Sequence, residues 1–275
     1  MEHTLGDYRV WAATEYGPRI TALRRGDDSN LLAELSPDVT VGPSDDPYRF
    51  MGGHRVWAAP EVPEITYAPD GRPCTVTESE GTLRISAGPD RVGVAKEIAI
   101  TAEGSSLVVA SRLTCTRDLG HSIAPWAITQ LPLGGVAIVP VVGADTTPQA
   151  NRRLVLWPYT TFDDPRLALR GEVVLIEASG IDPVKVGTGP SPSALGYWRA
   201  GRLFMKEVPD DLGENVPDMG AVAQVYVGSG FCELETMGGL AQGTEGAVIE
   251  LEERWSVIDC PDLETAVGVT MSAAR

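Results

Sequence analysis

Two glutamates separated by one residue, Glu233 and Glu235, stand in the segment Phe231-Cys232-Glu233-Leu234-Glu235-Thr236. In an extended chain alternate side chains share a face, so Phe231, Glu233 and Glu235 project together while Cys232, Leu234 and Thr236 project the other way. Carboxylates accept hydrogen bonds from hydroxyl groups, and an aromatic ring packs against the C–H face of a pyranose, so this trio suits a sugar platform. Carboxylates about 7 Å apart on one strand face also raise each other's pKa, which suits a general base working near neutral pH. The same alternation describes the solvated outer face of an edge strand, where glutamate is ordinary.

A proton donor would have to come from elsewhere. The sequence has three histidines, His3, His54 and His121, and none forms an HxxxH or HxH pair, so no metal site is expected from spacing, and no cofactor motif is read. His54 follows Gly52-Gly53, whose conformational freedom allows the backbone to approach a ligand closely, and it is the preferred acid candidate over His121. A lone histidine at a strand end or in a loop is also an ordinary packing residue. Arg55 and Trp57 share the face opposite His54 if this segment is extended, placing a cation beside a stacking ring. Such a pair could hold a phosphate or uronate, although for an arginine among 38 acidic residues an ion pair is the more common role. Arg166, after the Asp163-Asp164-Pro165 turn, is a second candidate with the same two roles.

The elements that must position these residues read as strands. Segments rich in Val, Ile, Thr and aromatics recur at Tyr8–Ala13, Arg19–Leu23, Leu83–Ala87, Ala95–Thr101, Leu107–Thr116, Leu154–Tyr159, Glu172–Glu177, Ala221–Val227, Phe231–Thr236 and Val248–Ile258, punctuated by Gly, Pro, Asp and Ser clusters. Helical turns are expected only at Asp163–Pro165 and Leu263–Val267. Pro37–Pro47 and Gly187–Gly196 read as long loops between strands, and no repeat of fixed period appears. The reading is one all-β domain over residues 1–275.

Composition narrows the partners. The chain of 275 residues carries 22 Lys and Arg against 38 Asp and Glu, a formal charge of −16. A surface this acidic repels phosphate backbones and anionic lipid headgroups, so neither nucleic acid nor a membrane is an expected partner. The start, MEHTLGDYRV, lacks a basic, apolar leader, and the longest apolar run is far below the ~20 residues needed to span a bilayer. Four scattered cysteines without a CxxC pair fit a reduced, cytoplasmic setting. Oligomeric state is not read.

Several segments carry a family resemblance. YGPRITALRR (residues 16–25) is similar to the opening strand of the galactose mutarotase superfamily, and FMGGHRVWAAPE (50–61) resembles a signature of a bacterial family within it and the Gly-Gly stretch of hexose-6-phosphate epimerases. LVLWPYTTFDDPR (154–166) and PDMGAVAQVYVGSGFCELETMGGL (217–240) followed by ELEERWSV (250–257) resemble later motifs of the same bacterial family. The resemblance implies a galactose-mutarotase-like β-supersandwich of mostly antiparallel strands with a carbohydrate site on its concave sheet. It further implies Glu235 as the base that opens a hexose ring, with Glu233 beside it. The superfamily's strand histidine is replaced: HSIAPWAITQL (121–131) puts Trp126 there, with His121 at the head of that strand. Lys185, Lys206, Asp218 and Gln224 fall in matching segments without an assigned role. The implied functions are an aldose 1-epimerase-like isomerase, or a sugar-binding or sensing protein that lacks the acid. A glycosidase or lyase is disfavoured, because two carboxylates on one strand face do not flank a bond from opposite sides. The expected ligand is a small carbohydrate that could be anionic.

Overall fold

Alternation of buried and open positions marks the strands that cover the molecule. Val94–Glu103 and Ser106–Cys115 bury every second residue, as expected for a sheet with one solvated face. Other strands lack this pattern: His54–Ala59, Val184–Gly189 and Phe231–Met237 are buried at every position. The computed structural model describes residues 1–143, 150–180, 182–189, 193–208 and 215–275.

Two ten-stranded sheets result, and every strand pairing within them is antiparallel. The first runs Glu2–Leu5, Tyr8–Ala12, Ile20–Arg25, His54–Ala59, Ser122–Leu131, Phe231–Met237, Ala223–Gly228, Val184–Gly189, Arg153–Leu156, with Ala241–Gln242 also paired to Ser122–Leu131. The second runs Leu167–Arg170, Val173–Glu177, Val136–Pro140, Ser193–Arg199, Arg202–Val208, Val248–Asp259, Ser106–Cys115, Val94–Glu103, Thr82–Ala87, Thr75–Ser79. The main core lies between them and includes Val10, Leu23, Val56, Ile98, Val109, Val186, Val225, Leu234, Phe204 and Trp255.

All ten expected strands are present with small boundary shifts. Several were not expected, among them Val136–Pro140, Val184–Gly189, Ser193–Arg199 and Arg202–Val208. The expected loop Gly187–Gly196 is therefore largely two strands, and 190–192 between them lie outside the described residues. Pro37–Pro47 is interrupted by Thr40–Val41, which pairs with Tyr48–Arg49. The turn at Asp163–Pro165 is not helical; the chain bends there and Arg166 clamps Asp164. The C-terminal helix is longer than expected, Leu263–Ala273, capped by Asp262, which accepts from the Thr265 backbone N–H at 2.8 Å. Among the described residues no helix is long and apolar enough to cross a membrane.

Pro125 sits inside the central Ser122–Leu131 strand, where a missing N–H would break a ladder. Its carbonyl accepts from Gly238, in the gap between the Phe231–Met237 and Ala241–Gln242 partners. The proline thus faces the one stretch where the neighbouring edge is interrupted.

A buried ion pair joins the sheets behind the Phe231–Met237 strand. Lys206 and Glu253 are both fully buried and 2.8 Å apart. Lys206 also donates to the Leu234 carbonyl at 3.2 Å, and Glu253 accepts from Thr236 and from the Trp255 indole. Burial outweighs the attraction of Glu253 and pulls the Lys206 pKa below its usual value. Lys206→Met is expected to cost about 3–5 kcal/mol by stranding Glu253 as an unpaired buried charge, while adding Glu253→Leu recovers most of the loss. Urea unfolding of the parent and both variants checks this; equal losses in the single and double variants would rule out a compensating pair.

Candidate functional site

Cross-strand register builds the site on the outer face of the first sheet. Trp57 lies opposite Trp126, and Trp126 opposite Met237. The next row is Arg55, Ile128, Glu235 and Gln224; the row after it is Gln130, Glu233, Tyr226 and Lys185. Phe231, Glu233 and Glu235 therefore do share a face, and that face is not an open outer surface. Glu235 is 1% exposed and Glu233 7%. Both line a cavity of about 480 Å³ together with Phe50, Trp57, Glu61, Tyr67, Trp126, Tyr159, Lys185, Tyr226 and Phe231, and the Val39–Val41 segment forms part of its wall.

Each carboxylate has its own cation and its own neutral donor. Arg55 donates to Glu233 Oε1 at 3.0 Å and Gln130 Nε2 donates to the same oxygen at 2.9 Å. Lys185 Nζ and the Trp126 indole each donate to Glu235 Oε2 at 2.7 Å. Glu235 Oε1 is buried with no partner among the described residues. Burial raises the Glu235 pKa to about 7; the adjacent Lys185 opposes that rise and Glu233 adds to it. Lys185 Nζ sits 4.7 Å from the Trp126 ring centre and 4.6 Å from that of Trp157, so two indoles flank it. A buried carboxyl that titrates near neutrality, with one oxygen held and one free, can accept a hydroxyl hydrogen bond or exchange a proton.

The other expected residues divide into two groups. Trp57, Trp126 and Phe231 line the cavity; Arg55 is on the same face but lies behind them, 4.2 Å from the Trp57 ring centre and 5.0 Å from that of Phe50, committed to Glu233. Gln224 is fully buried beside Glu235 in register, but its amide donates to Asp218 and to the Ala221 carbonyl, and neither Gln224 nor Asp218 lines the cavity.

His54, the preferred acid candidate, points the opposite way. Strand alternation turns it into the core, where Nδ1 lies 2.9 Å from Thr129 Oγ1 and its ring meets Trp255 edge-on at 4.6 Å. Burial and the nearby Lys206 hold its pKa well below the usual histidine value, so it is neutral. Gly52 and Gly53 have positive φ, but a Cβ on either would meet the Ala33 or Ile20 backbone, so their close approach is to the protein's own chain. His121 bonds the Leu119 carbonyl at 2.8 Å and does not line the cavity. Arg166 is likewise elsewhere: it grips both Asp164 carboxylate oxygens and the Ser179 and Asp182 carbonyls. Neither arginine lines the cavity, so neither is placed to meet a phosphate or uronate there.

Lys185 was in view but without a role, and Gln130, Tyr67, Tyr159 and Tyr226 were not singled out. Their convergence depends on three strands and two loop segments far apart in the chain, and no local motif marks it. Trp157 flanks Lys185, whereas Trp255 is buried in the core and Trp198 bonds the Cys260 carbonyl. A second surface cavity of about 490 Å³ opens between Tyr16, Arg49, Asp70 and Arg91; it contains none of the expected site residues. Among the described residues no group of three or more His, Cys, Asp or Glu side chains is placed to hold a metal ion.

Two large antiparallel sheets packed face to face, with an aromatic-walled cavity set in the outer face of one, give this chain the galactose mutarotase-like fold. Solved structures carry the comparison. A galactose mutarotase-like protein from Lactobacillus casei matches with a TM-score of 0.61 at 8% identity, covering 94% of this chain and 99% of that one. A protein provisionally assigned as a mutarotase from Salmonella typhimurium matches at 0.56 and 11% identity, covering 94% and 90%. One provisionally assigned as an aldose 1-epimerase from Klebsiella pneumoniae matches at 0.57 and 9%, covering 97% and 80%. No protein-family model and no curated protein sequence matches the chain.

Because the folded state holds the Glu235 proton more tightly than the unfolded chain does, stability falls as pH rises from about 4.5 to about 7 and then levels. Glu235→Gln removes this contribution. The parent protein is therefore expected to lose up to about 3 kcal/mol relative to Glu235→Gln over that interval; chemical denaturation of both at stepped pH measures it, and a constant difference would contradict it.

Proposed function

We propose that this protein binds a carbohydrate in the cavity on the outer face of its first sheet, with Glu235 as the central hydroxyl acceptor. One observation carries the reading: a buried carboxylate oxygen, Glu235 Oε1, has no partner among the described residues in a cavity walled by Phe231, Trp57, Trp126, Tyr67, Tyr159 and Tyr226. Buried polar atoms are costly when unsatisfied, and a ligand hydroxyl supplies the missing donor. Aromatic walls with a few fixed polar groups are the usual lining of small-ligand sites.

A second reading, interconversion of sugar anomers in the manner of an aldose 1-epimerase, draws on the near-neutral titration of Glu235 and its 2.7 Å contact with Lys185. Ring opening needs a base at the anomeric hydroxyl and a donor at the ring oxygen. None of the three histidines lines the cavity, and the one lining cation among the described residues, Lys185, is already held by Glu235. Binding is therefore the stronger reading, and exchange is expected to be slow.

Freshly dissolved α-glucose and α-galactose are expected to equilibrate no faster with the protein than in buffer, as followed by NMR. Fast equilibration that Glu235→Gln abolishes would promote the enzyme reading. A broad panel of sugars is expected to include one that raises the thermal midpoint of the parent but not of Glu235→Gln; a panel with no such member would remove the binding reading.

A further inference from the structure

We propose that the sugar recognised in this cavity carries a free ammonium group, and that Glu61 at the rim is its counter-ion. The inference rests on the carbohydrate reading above and adds the charge class of the ligand.

The charges lining the cavity do not balance. Glu233 is matched by Arg55 at 3.0 Å and Glu235 by Lys185 at 2.7 Å, so those two carboxylates have their cations. Glu61 is left over. It lines the same cavity, is exposed, and among the described residues its partner is the neutral hydroxyl of Tyr67. An anionic sugar would meet this carboxylate where, among the described residues, the cation lining the cavity is already paired with Glu235 and Arg55 lies behind the wall; like charges brought together oppose binding.

The walls favour a cation on independent grounds. Tyr67 stands 5.3 Å from Trp57, ring centre to ring centre, and both line the cavity, so aromatic rings flank the approach to Glu61. Ring faces attract ammonium groups most when the site is partly shielded from water. Across the cavity, Glu61, Glu233 and Glu235 all act to raise the pKa of the Tyr159 and Tyr226 hydroxyls, in addition to burial. At Tyr67 the Arg55 cation opposes Glu61 and Glu233, but that cation is already bound to Glu233. The unpartnered Glu235 Oε1 then serves a ring hydroxyl while the ammonium lies at the rim.

Isothermal titration calorimetry at low ionic strength, near pH 6 where a primary amine is protonated, tests this. The probes are glucosamine, galactosamine and mannosamine, their N-acetyl derivatives, the parent hexoses and the hexose 6-phosphates. At least one amino sugar is expected to bind about tenfold more tightly than both its N-acetyl form and its parent hexose, as one shielded ion pair with aromatic support provides. The 6-phosphates are expected to bind least. Glu61→Gln, at an exposed position, should fold normally and bring the three forms of that sugar within about twofold of one another. A neutral or phosphorylated sugar that binds as tightly as its amino counterpart, or a preference unchanged in Glu61→Gln, would overturn the proposal and leave the carbohydrate reading standing. If no sugar of any charge class binds, the carbohydrate reading falls and this inference falls with it.

Discussion

The strand Phe231–Met237 is buried on both faces, and most of the arrangement around it follows from that constraint. Its polar side chains cannot be left to water on either side. Glu233 and Glu235 turn outward and are met by Arg55, Gln130, Lys185 and Trp126. Thr236 turns inward and donates to Glu253, which Lys206 neutralises. One strand therefore separates two sets of buried charges, a site in front and a structural pair behind.

The two sets differ in what they leave open. Behind the strand, Lys206 bonds Glu253 and two backbone carbonyls, and Glu253 accepts from Thr236 and Trp255. In front, Glu235 keeps one buried oxygen without a partner among the described residues, and that oxygen belongs to a residue lining the cavity. Complete satisfaction suits a framework and incomplete satisfaction suits a place where something else arrives. The near-neutral titration of Glu235 follows from the same cause, since burial penalises its charge more than Lys185 repays.

Fold and site carry different information. The likeness to mutarotase-like structures at 8–11% identity establishes how the sheets are stacked. What happens in the cavity depends on side chains, because one fold hosts many functions. Here an indole and an ammonium hold Glu235, and the preferred acid candidate, His54, is a neutral core group.

The sequence alone determined the all-β class, most of the strands with alternating patterns, and the shared direction of Phe231, Glu233 and Glu235, because a period of two is a local property of an extended chain. It also showed that His54 opposes Arg55 and Trp57, without showing which side faced the core. Val184–Gly189, buried on both faces, escaped notice because with no solvated side it has no alternation to read. Tertiary structure decided which partner each charge received. Arg55 reaches Glu233 across 178 positions and Lys185 reaches Glu235 across 50, and such pairings are set by strand order and register, which no local pattern encodes.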